Sequence, residues 1–251
     1  MIANYHTHTF RCNHATGTER EYIEHAILGG LEVLGFADHA PMPFEGEYYS
    51  GFRMKLQETE DYVCTLRSLQ KEYAKDIRIL IGFEAEYYPA VFPRFLEFIE
   101  PYDIDYLLLG QHALYNEEGA PMCGAPTEDP RLLSQYIAQV KEGLSTGKFL
   151  YHAHPDMMRF VGDPQEYQKQ MTDYCRFCKE RNIPLEINLL GLMDNRWYPN
   201  KNFWEIAGAV GNCGIIGCDA HRADVLSNMQ LHSQGEQWAK NFAIPLLSNL
   251  L

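Results

Sequence analysis

The sequence predicts an α/β protein that folds as a closed or nearly closed β/α barrel, with a doubly wound open sheet as the alternative. Short aliphatic runs alternate with amphipathic helical patterns along the chain, which is typical of a parallel sheet. Seven such units fit into 251 residues, the length usual for one barrel. No linker or low-complexity segment interrupts the pattern, so residues 1–251 are expected to form a single domain.

Seven segments have the length and residue types of β-strands. In chain order they are 2–5, 32–37, 77–83, 104–109, 148–151, 184–188 and 214–218. Segments with one apolar face at helical spacing lie between them. These are 18–29, 56–74, 92–99, 130–144, 164–180 and 203–210, followed by a helical tail from 234 onward. The first of these helices is expected to begin with a capping box formed by Thr18 and Glu21 and to end at Gly29-Gly30.

The net charge of −13 argues against a nucleic-acid partner, because an acidic surface repels phosphates and no Lys/Arg-rich stretch is present. No apolar run approaches the roughly 20 residues needed to cross a bilayer, which argues against a membrane partner. The N-terminal segment MIANYHTHTF lacks the features of a secretory signal, so a cytoplasmic location is expected. The oligomeric state is left open.

The seven cysteines are scattered and odd in number, which does not fit a disulfide framework. Reduced thiols are therefore expected. Cys175 and Cys178 form a CxxC motif, but this motif lies within a predicted helix and has no second pair. We therefore interpret these two residues as buried thiols and not as zinc ligands.

Residues that can bind metal ions follow nearly every predicted strand. They are His6, His8 and His14 after the first strand, Asp38 and His39 after the second, Glu84 at the third, His112 after the fourth, His152 and His154 after the fifth, and Asp219 and His221 after the seventh. Glu186 and Asn188 at the sixth strand are weaker candidates. Eight of the ten histidines belong to this set, and only His25 and His232 lie elsewhere. Because the carboxyl ends of barrel strands meet on one face, these side chains are expected to converge.

The residue types in this set indicate a cluster of divalent ions that performs hydrolysis. Imidazole and carboxylate together suit Zn, Fe, Mn or Co, and Glu84 could bridge two ions. More ligands are present than one ion can use, so two or three ions are expected. Clustered ions lower the pKa of bound water and neutralise phosphate oxygens. Hydrolysis of a phosphoester or of an amide fits this chemistry.

Six motifs that span the chain from His6 to His221 resemble those of the polymerase and histidinol phosphatase (PHP) superfamily. They are HTHTFRCNH, ADH, GFEAE, GQH, HAHP and CDAH. The chain length and the stretch NLLGLMDNRWYPN resemble the stand-alone histidinol-phosphate phosphatases of that superfamily. The resemblance implies a distorted (β/α)7 barrel with the metal site at the carboxyl ends of the strands. It also implies hydrolysis of L-histidinol phosphate, in histidine biosynthesis, by attack of a metal-bridging hydroxide on phosphorus.

The resemblance further implies roles for particular residues. The metal ligands would be His6, His8, Glu84 and Asp219 for a first ion, His14, His39 and His221 for a second, and Glu84, His112 and His154 for a third. His152 is left out of this set, and Asp38 is expected to orient a ligand. The phosphate would be bound by Arg159 and Arg196, with Arg222 and Arg11 as weaker candidates.

Two further roles stay open at this point. Either Asp219 or a metal-bound water could donate the proton to the leaving group. Tyr115, Trp197 and Tyr198 are candidates for an imidazole pocket, although packing alone would explain each of them.

Three other functions compete with this interpretation. The chain could be a PHP phosphoesterase that acts on another phosphate monoester or on a nucleotide. An amidohydrolase-like enzyme is a second alternative, but such barrels use a bridging lysine where this chain has Gln111 and His112. A proofreading or nucleic-acid-binding module is a third, and the absence of a basic stretch argues against it.

Overall fold

A computed structural model describes residues 1–251. Six parallel strands form a four-stranded sheet in the order β1-β2-β3-β4 and a two-stranded sheet, β5-β6. The strands are β1 (Ala3–Asn4), β2 (Val33–His39), β3 (Arg78–Ala85), β4 (Tyr106–Leu109), β5 (Leu185–Asn188) and β6 (Gly214–Gly217). β2 and β3 are the longest and pair over seven residues, from Val33 with Arg78 to His39 with Glu84.

Eight α-helices pack around these strands. They are α1 (Glu19–Leu28), α2 (Thr59–Glu72), α3 (Phe92–Ile99), α4 (Pro130–Ser145), α5 (Pro164–Glu180), α6 (Leu189–Met193), α7 (Lys201–Val210) and α8 (Met229–Asn241). Short 3-10 helices cover Phe10–Cys12, Leu56–Glu58, Glu100–Tyr102 and Ala223–Ser227. None of the helices has both the length and the apolar composition that crossing a membrane requires.

Single parallel bridges join the two sheets into a ring. His152 pairs with Leu109 of β4 on one side and with Leu185 of β5 on the other. On the opposite side of the ring, Thr7 pairs with Ala220, so the segment after β1 meets the segment after β6. The fold is therefore a distorted (β/α)7 barrel, as expected from the sequence, in which the fifth of seven positions is filled by a segment too irregular to form a continuous strand.

The predicted fifth strand over 148–151 was wrong in its position and regularity. α4 extends to Ser145, and Gly147, at a φ of 67°, turns the chain after it. The hydrogen-bonded segment therefore begins only at Leu150, whose N–H donates to the carbonyl oxygen of Leu107 at 2.8 Å. It ends at Ala153, whose N–H donates to the carbonyl oxygen of Leu109 at 2.9 Å.

The other differences from the prediction concern a short helix after β5 and the C-terminal helix. α6 was not predicted, since it has only five residues and directly follows β5. The helical tail predicted from 234 onward begins earlier, at Met229, and ends at Asn241. Beyond it the chain becomes extended, and Leu246 pairs with Gly214.

Two local predictions were correct. The capping box of α1 is present, with Thr18 N–H donating to Glu21 Oε2 at 2.6 Å and Glu21 N–H donating to Thr18 Oγ1 at 3.3 Å. All seven cysteines are free, and Cys175 and Cys178 are buried in α5.

Aromatic side chains fill the interior of the barrel below the carboxyl ends of the strands. Tyr5 packs edge-on against Tyr106 and Tyr151, with ring centroids 5.8 and 6.5 Å apart. Gly82 makes room for Tyr106, because a Cβ atom there would lie 2.7 Å from the Tyr106 ring. A second, larger core of 56 buried residues lies between the outer face of the strands and the helices. The filled interior confines any ligand to the open rim at the carboxyl ends.

Candidate metal centre

Four of the predicted ligands converge at the ends of β1, β3 and β6, and we call them the deep cluster. They are His6, His8, Glu84 and Asp219, and all four are buried. His6 Nε2 lies 3.4 Å from Glu84 Oε2 and 3.5 Å from Asp219 Oδ1, while His8 Nε2 lies 3.6 and 3.0 Å from the same two oxygens. Ligand atoms around a tetrahedral ion with bonds of about 2.0–2.1 Å are about 3.3 Å apart, so the spacing fits a shared cation.

Three histidines form a second group at the mouth of the barrel, which we call the rim cluster. They are His14, His39 and His221. The Nδ1 atoms of His14 and His221 donate to the carbonyl oxygens of Cys12 and Asp219 at 2.7 and 3.0 Å. Both Nε2 atoms therefore carry lone pairs, and they face each other at 2.9 Å. Two facing lone pairs repel unless a cation lies between them, so this arrangement also fits a metal ion.

The third group, the side cluster, consists of Glu84, His112 and His154. Glu84 Oε1 lies 2.7 Å from His154 Nε2 and 3.4 Å from His112 Nε2. Glu84 Oε2 points the other way, into the deep cluster, and also lies 3.1 Å from His39 Nδ1. One carboxylate thus faces two ligand groups with different oxygens, which is the geometry that a bridging ligand needs.

Buried carboxylates behind the imidazoles fix the orientation of the rings. His6 Nδ1 lies 2.8 Å from Glu186 Oε1, and His112 Nδ1 lies 2.8 Å from Glu86 Oε1. Asp38 Oδ1 lies farther from its imidazole, 3.5 Å from His8 Nδ1. A carboxylate that accepts from one ring nitrogen leaves the other nitrogen free to bind metal.

Three features of this surrounding shell were missed or misjudged from the sequence. Glu186 was a weak ligand candidate but lies behind His6. Glu86 was not singled out. Its spacing of two residues from Glu84 was a usable signal, because side chains two residues apart along a strand point to the same face. The buried Cys12 thiol, which was not among the candidate ligands, lies within 4.8 Å of ligand atoms of His8 and His221.

His152 faces away from the three clusters. Its Nδ1 atom contacts the hydroxyl group of Tyr174, and its Nε2 atom lies 3.5 Å from the hydroxyl of Tyr136. His154, two residues later in the same motif, has a φ of 32°. Its side chain faces the side cluster. Asp219 also has a positive φ, of 47°. Such backbone conformations are costly for non-glycine residues and concentrate at functional sites.

Glycines at two strand ends make room for the buried carboxylates. A Cβ atom at Gly110 would lie 1.9 Å from Glu84 Oε1, and one at Gly217 would lie 1.8 Å from Glu186 Oε1. Any other residue at these positions would displace the carboxylate.

The charges of the deep cluster favour a cation. Burial alone would raise the pKa values of Glu84 and Asp219, but the neighbouring imidazoles hold both well below the usual range. Burial alone would lower the pKa of His8, yet hydrogen bonding with Asp219 and Asp38 raises it to about 9. In the rim cluster, burial and the nearby His8 lower the pKa of His221 to about 3, which keeps its imidazole neutral and able to bind metal.

A cleft of about 450 Å³ opens onto the three clusters. Its walls include Arg196, Arg222 and Tyr198 together with apolar side chains such as Phe52 and Met157. Arg196 donates to the Tyr198 hydroxyl at 2.9 Å and to Asp194 at 3.1 Å.

The other candidate side chains lie away from the wall of this cleft. Arg159 lies over the Trp197 ring at 5.4 Å, and Tyr115 is 48% exposed. Arg11 forms ion pairs with Glu19 and Asp61.

Comparison with known proteins identifies the family to which this site belongs. Residues 4–189, which include all predicted ligands except Asp219 and His221, match the PHP domain family. The chain belongs to the PHP family. This PHP protein is 30% identical over 235 residues to a probable histidinol-phosphatase of Deinococcus radiodurans, covering 88% of this chain and 86% of that protein. It is 31% identical over 116 residues to the histidinol-phosphatase of Bacillus subtilis, covering 43% of each chain.

Two solved structures share the PHP fold over nearly their whole length. Histidinol phosphate phosphatase from Lactococcus lactis, complexed with zinc, L-histidinol and phosphate, matches with a TM-score of 0.75 and 18% identity, covering 99% of this chain and 96% of that one. A putative histidinol phosphatase from Listeria monocytogenes matches with a TM-score of 0.74 and 21% identity, covering 90% and 97%. At these identities the likeness demonstrates the fold.

Proposed function

We propose that this PHP protein is a metal-dependent phosphatase that hydrolyses L-histidinol phosphate to L-histidinol and phosphate. The observation that carries the proposal is the placement of Glu84, whose two oxygens face two separate ligand groups beside a cleft with arginine in its wall. The similarity of this protein to a probable histidinol-phosphatase, over 88% of the chain, supports the choice of substrate.

The proposed metal centre holds two or three divalent ions, Zn, Fe or Mn. The deep cluster would hold the first, the rim cluster the second and the side cluster the third, with Glu84 shared by the first and third. The interatomic distances and the buried, unpartnered His6 Nε2 and His8 Nε2 atoms support this assignment. When bound, such cations lower the pKa of water and neutralise phosphate oxygens.

The surroundings of Asp219 support a role as metal ligand over a role as proton donor. Its Oδ1 atom faces His6 and His8, and its Oδ2 atom accepts a hydrogen bond from Asn188 Nδ2 at 3.1 Å. Its pKa, well below the usual range, keeps it ionised at neutral pH. The proton for the leaving group would then come from the other candidate, a metal-bound water.

Arg196 is the arginine best placed to bind the phosphate, since it lies in the cleft wall. It would exchange its contact with Asp194 for the phosphate oxygens, which guanidinium groups bind in a forked geometry. Arg159 would take part only by leaving the face of Trp197. Arg159 is thus the less favoured of the two.

The proposal has consequences for the whole chain. One core cluster that includes side chains from Tyr22 to Ile244 supports a single domain over residues 1–251. The partner is a small phosphate monoester and not a nucleic acid, in keeping with the net charge of −13. A place in histidine biosynthesis and in the cytoplasm belongs to the same proposal.

Phosphate release from a substrate panel, measured with elemental analysis of the same preparation, tests this function. The expected result is two or three ions per chain and a clear preference in kcat/KM for L-histidinol phosphate over other monoesters and nucleotides. Equal rates across the panel would contradict the proposed preference for L-histidinol phosphate, but the protein would still be a phosphatase. Fewer than about one ion per chain under metal-replete conditions would contradict the metal centre.

A further inference from the structure

Arg53 is a buried charge that the proposed function leaves without a role. It lies in the loop between β2 and α2, and only 1% of its side chain is exposed. Its guanidinium donates to Glu86 Oε2 and Oε1 at 2.8 and 3.0 Å, and it also contacts Glu117 Oε2. Burying an arginine costs free energy unless carboxylates pair with it in this way. The presence of this buried network therefore indicates a structural or functional role for Arg53.

The same oxygen of Glu86 connects Arg53 to the metal centre. Glu86 Oε1 accepts from Arg53 Nη2 at 3.0 Å and from His112 Nδ1 at 2.8 Å. Because Glu86 is held ionised by the arginine, it can only accept, and the proton of His112 must therefore reside on Nδ1. His112 Nε2 is then a lone pair, and it lies 3.4 Å from Glu84 Oε1 in the side cluster.

Arg53 also supports the aromatic wall beside the same histidine. Its guanidinium carbon lies 4.4 Å from the centre of the Phe52 ring. That ring packs edge-on against His39 and His112, at centroid distances of 5.2 and 5.8 Å. The ring contacts His112 without a hydrogen bond, so the polar link from Arg53 to this histidine runs through the Glu86 carboxylate.

We propose that Arg53 is a positioning residue that, through Glu86, fixes the tautomer and direction of His112 and so controls cation binding in the side cluster. The inference rests on the metal centre proposed above. It adds that one buried arginine, more than 50 residues from His112 in sequence, selectively governs one of the cations.

The competing explanation is that Arg53 only anchors its loop. Glu117, its other carboxylate partner, accepts from the hydroxyl of Tyr88 at 2.7 Å and from that of Tyr48 at 3.3 Å, and these contacts would hold the loop without any effect on metal. A loop anchor predicts lost stability with unchanged metal affinity. A positioning residue predicts lost affinity for one ion in a folded protein.

Metal binding by Arg53→Met, measured by elemental analysis and by competition with a chelator, separates these explanations. One ion is expected to bind about 10- to 100-fold more weakly, and the others with unchanged affinity. Arg53→Lys keeps the charge but loses the fork, and is expected to give a smaller loss of the same ion. Arg20→Met is the matched control, since it breaks an exposed forked pair with Glu72 and should leave metal binding unchanged.

A double-mutant cycle with Glu86→Gln identifies the route of the effect. If Arg53 acts through Glu86, the double variant should bind the affected ion no more weakly than the weaker of the two single variants. Additive losses, equal weakening of every ion, or wild-type affinity in folded Arg53→Met and Arg53→Lys would overturn the inference. Thermal unfolding of the metal-free variants establishes that they are folded. If the wild type itself binds no metal, it is the proposed metal centre that fails.

Discussion

The deep cluster and the rim cluster both present imidazoles to a common point, but different groups hold those imidazoles. In the deep cluster, His6 is backed by the carboxylate of Glu186, and two further carboxylates, Glu84 and Asp219, face inward. In the rim cluster, the Nδ1 atoms of His14 and His221 donate to backbone carbonyl oxygens within their own motifs. The deep cluster is therefore anionic and buried, whereas the rim cluster is neutral and more exposed.

This difference implies unequal affinity for cations. Charges attract a cation more strongly where water is excluded, so the deep cluster should bind its ion most tightly. The rim cluster offers three neutral ligands next to solvent, and His14 is exposed. We expect the rim ion to exchange readily while the deep ion stays with the protein.

The largest effect is expected from Glu84→Gln, which removes the negative charge shared by the deep and side clusters and keeps the size of the side chain. We expect kcat/KM to fall about 10³-fold, equivalent to about 4 kcal/mol of lost charge stabilisation. Elemental analysis should show the loss of more than one ion per chain. Glu72→Gln, which breaks an exposed ion pair between Arg20 of α1 and Glu72 of α2, is the control. Retention of all ions and of activity by Glu84→Gln would contradict the bridging role.

The next test displaces Glu84 without altering it. Gly110→Ala would place a Cβ atom 1.9 Å from Glu84 Oε1, so the carboxylate has to move. A shift of about 1 Å in a catalytic group can cost roughly 10²-fold in rate, and we expect a fall of that size in kcat/KM. Gly51→Ala, where the added atom meets open space, should have wild-type kinetics. Equal kinetics for the two variants would show that the carboxylate tolerates displacement.

A smaller effect is expected from His14→Ala in the rim cluster. One ion should bind at least about 10²-fold more weakly. Loss of a residue that only supports a ligand costs up to about 10²-fold in metal affinity, and His14 is itself a proposed ligand. Activity should return in excess metal, because the deep and side clusters are untouched. The measurement is activity as a function of metal concentration. His25→Ala on α1, which removes a contact with Ser227, serves as control. Failure of excess metal to restore activity would make the rim as essential as the deep cluster.

The mildest test uses the unaltered protein and a chelator. Ions should leave in two phases, with the rim ion first, and the first phase should lower the melting temperature less than the second. A bound ion stabilises the folded state according to its concentration relative to its Kd, so the tighter ion contributes more. Ion content and melting temperature followed at matched times measure both phases. Simultaneous loss of all ions would show that the clusters are energetically equivalent.

The elements that sequence predicted best are those whose signal is local. The strands β2 and β3, with continuous apolar runs, and α1, with its capping box, were found close to their observed limits. The segment around His152 was misplaced, because its pairing depends on β4 and β5 on either side and not on its own residues. α6 was missed for a related reason, since a five-residue helix carries too few residues for a periodic pattern.

The sequence by itself determined which residue types gather at the carboxyl ends of the strands. Histidine and carboxylate residues recur after successive strands, and a parallel barrel must gather the carboxyl ends of its strands on one face. Only the tertiary structure decided the distances within and between the deep, rim and side clusters, and which buried groups support them. Glu186 behind His6 and Arg53 behind Glu86 are examples. They are joined across 180 and 33 residues, and such contacts depend on distances in space that no local pattern of residues encodes.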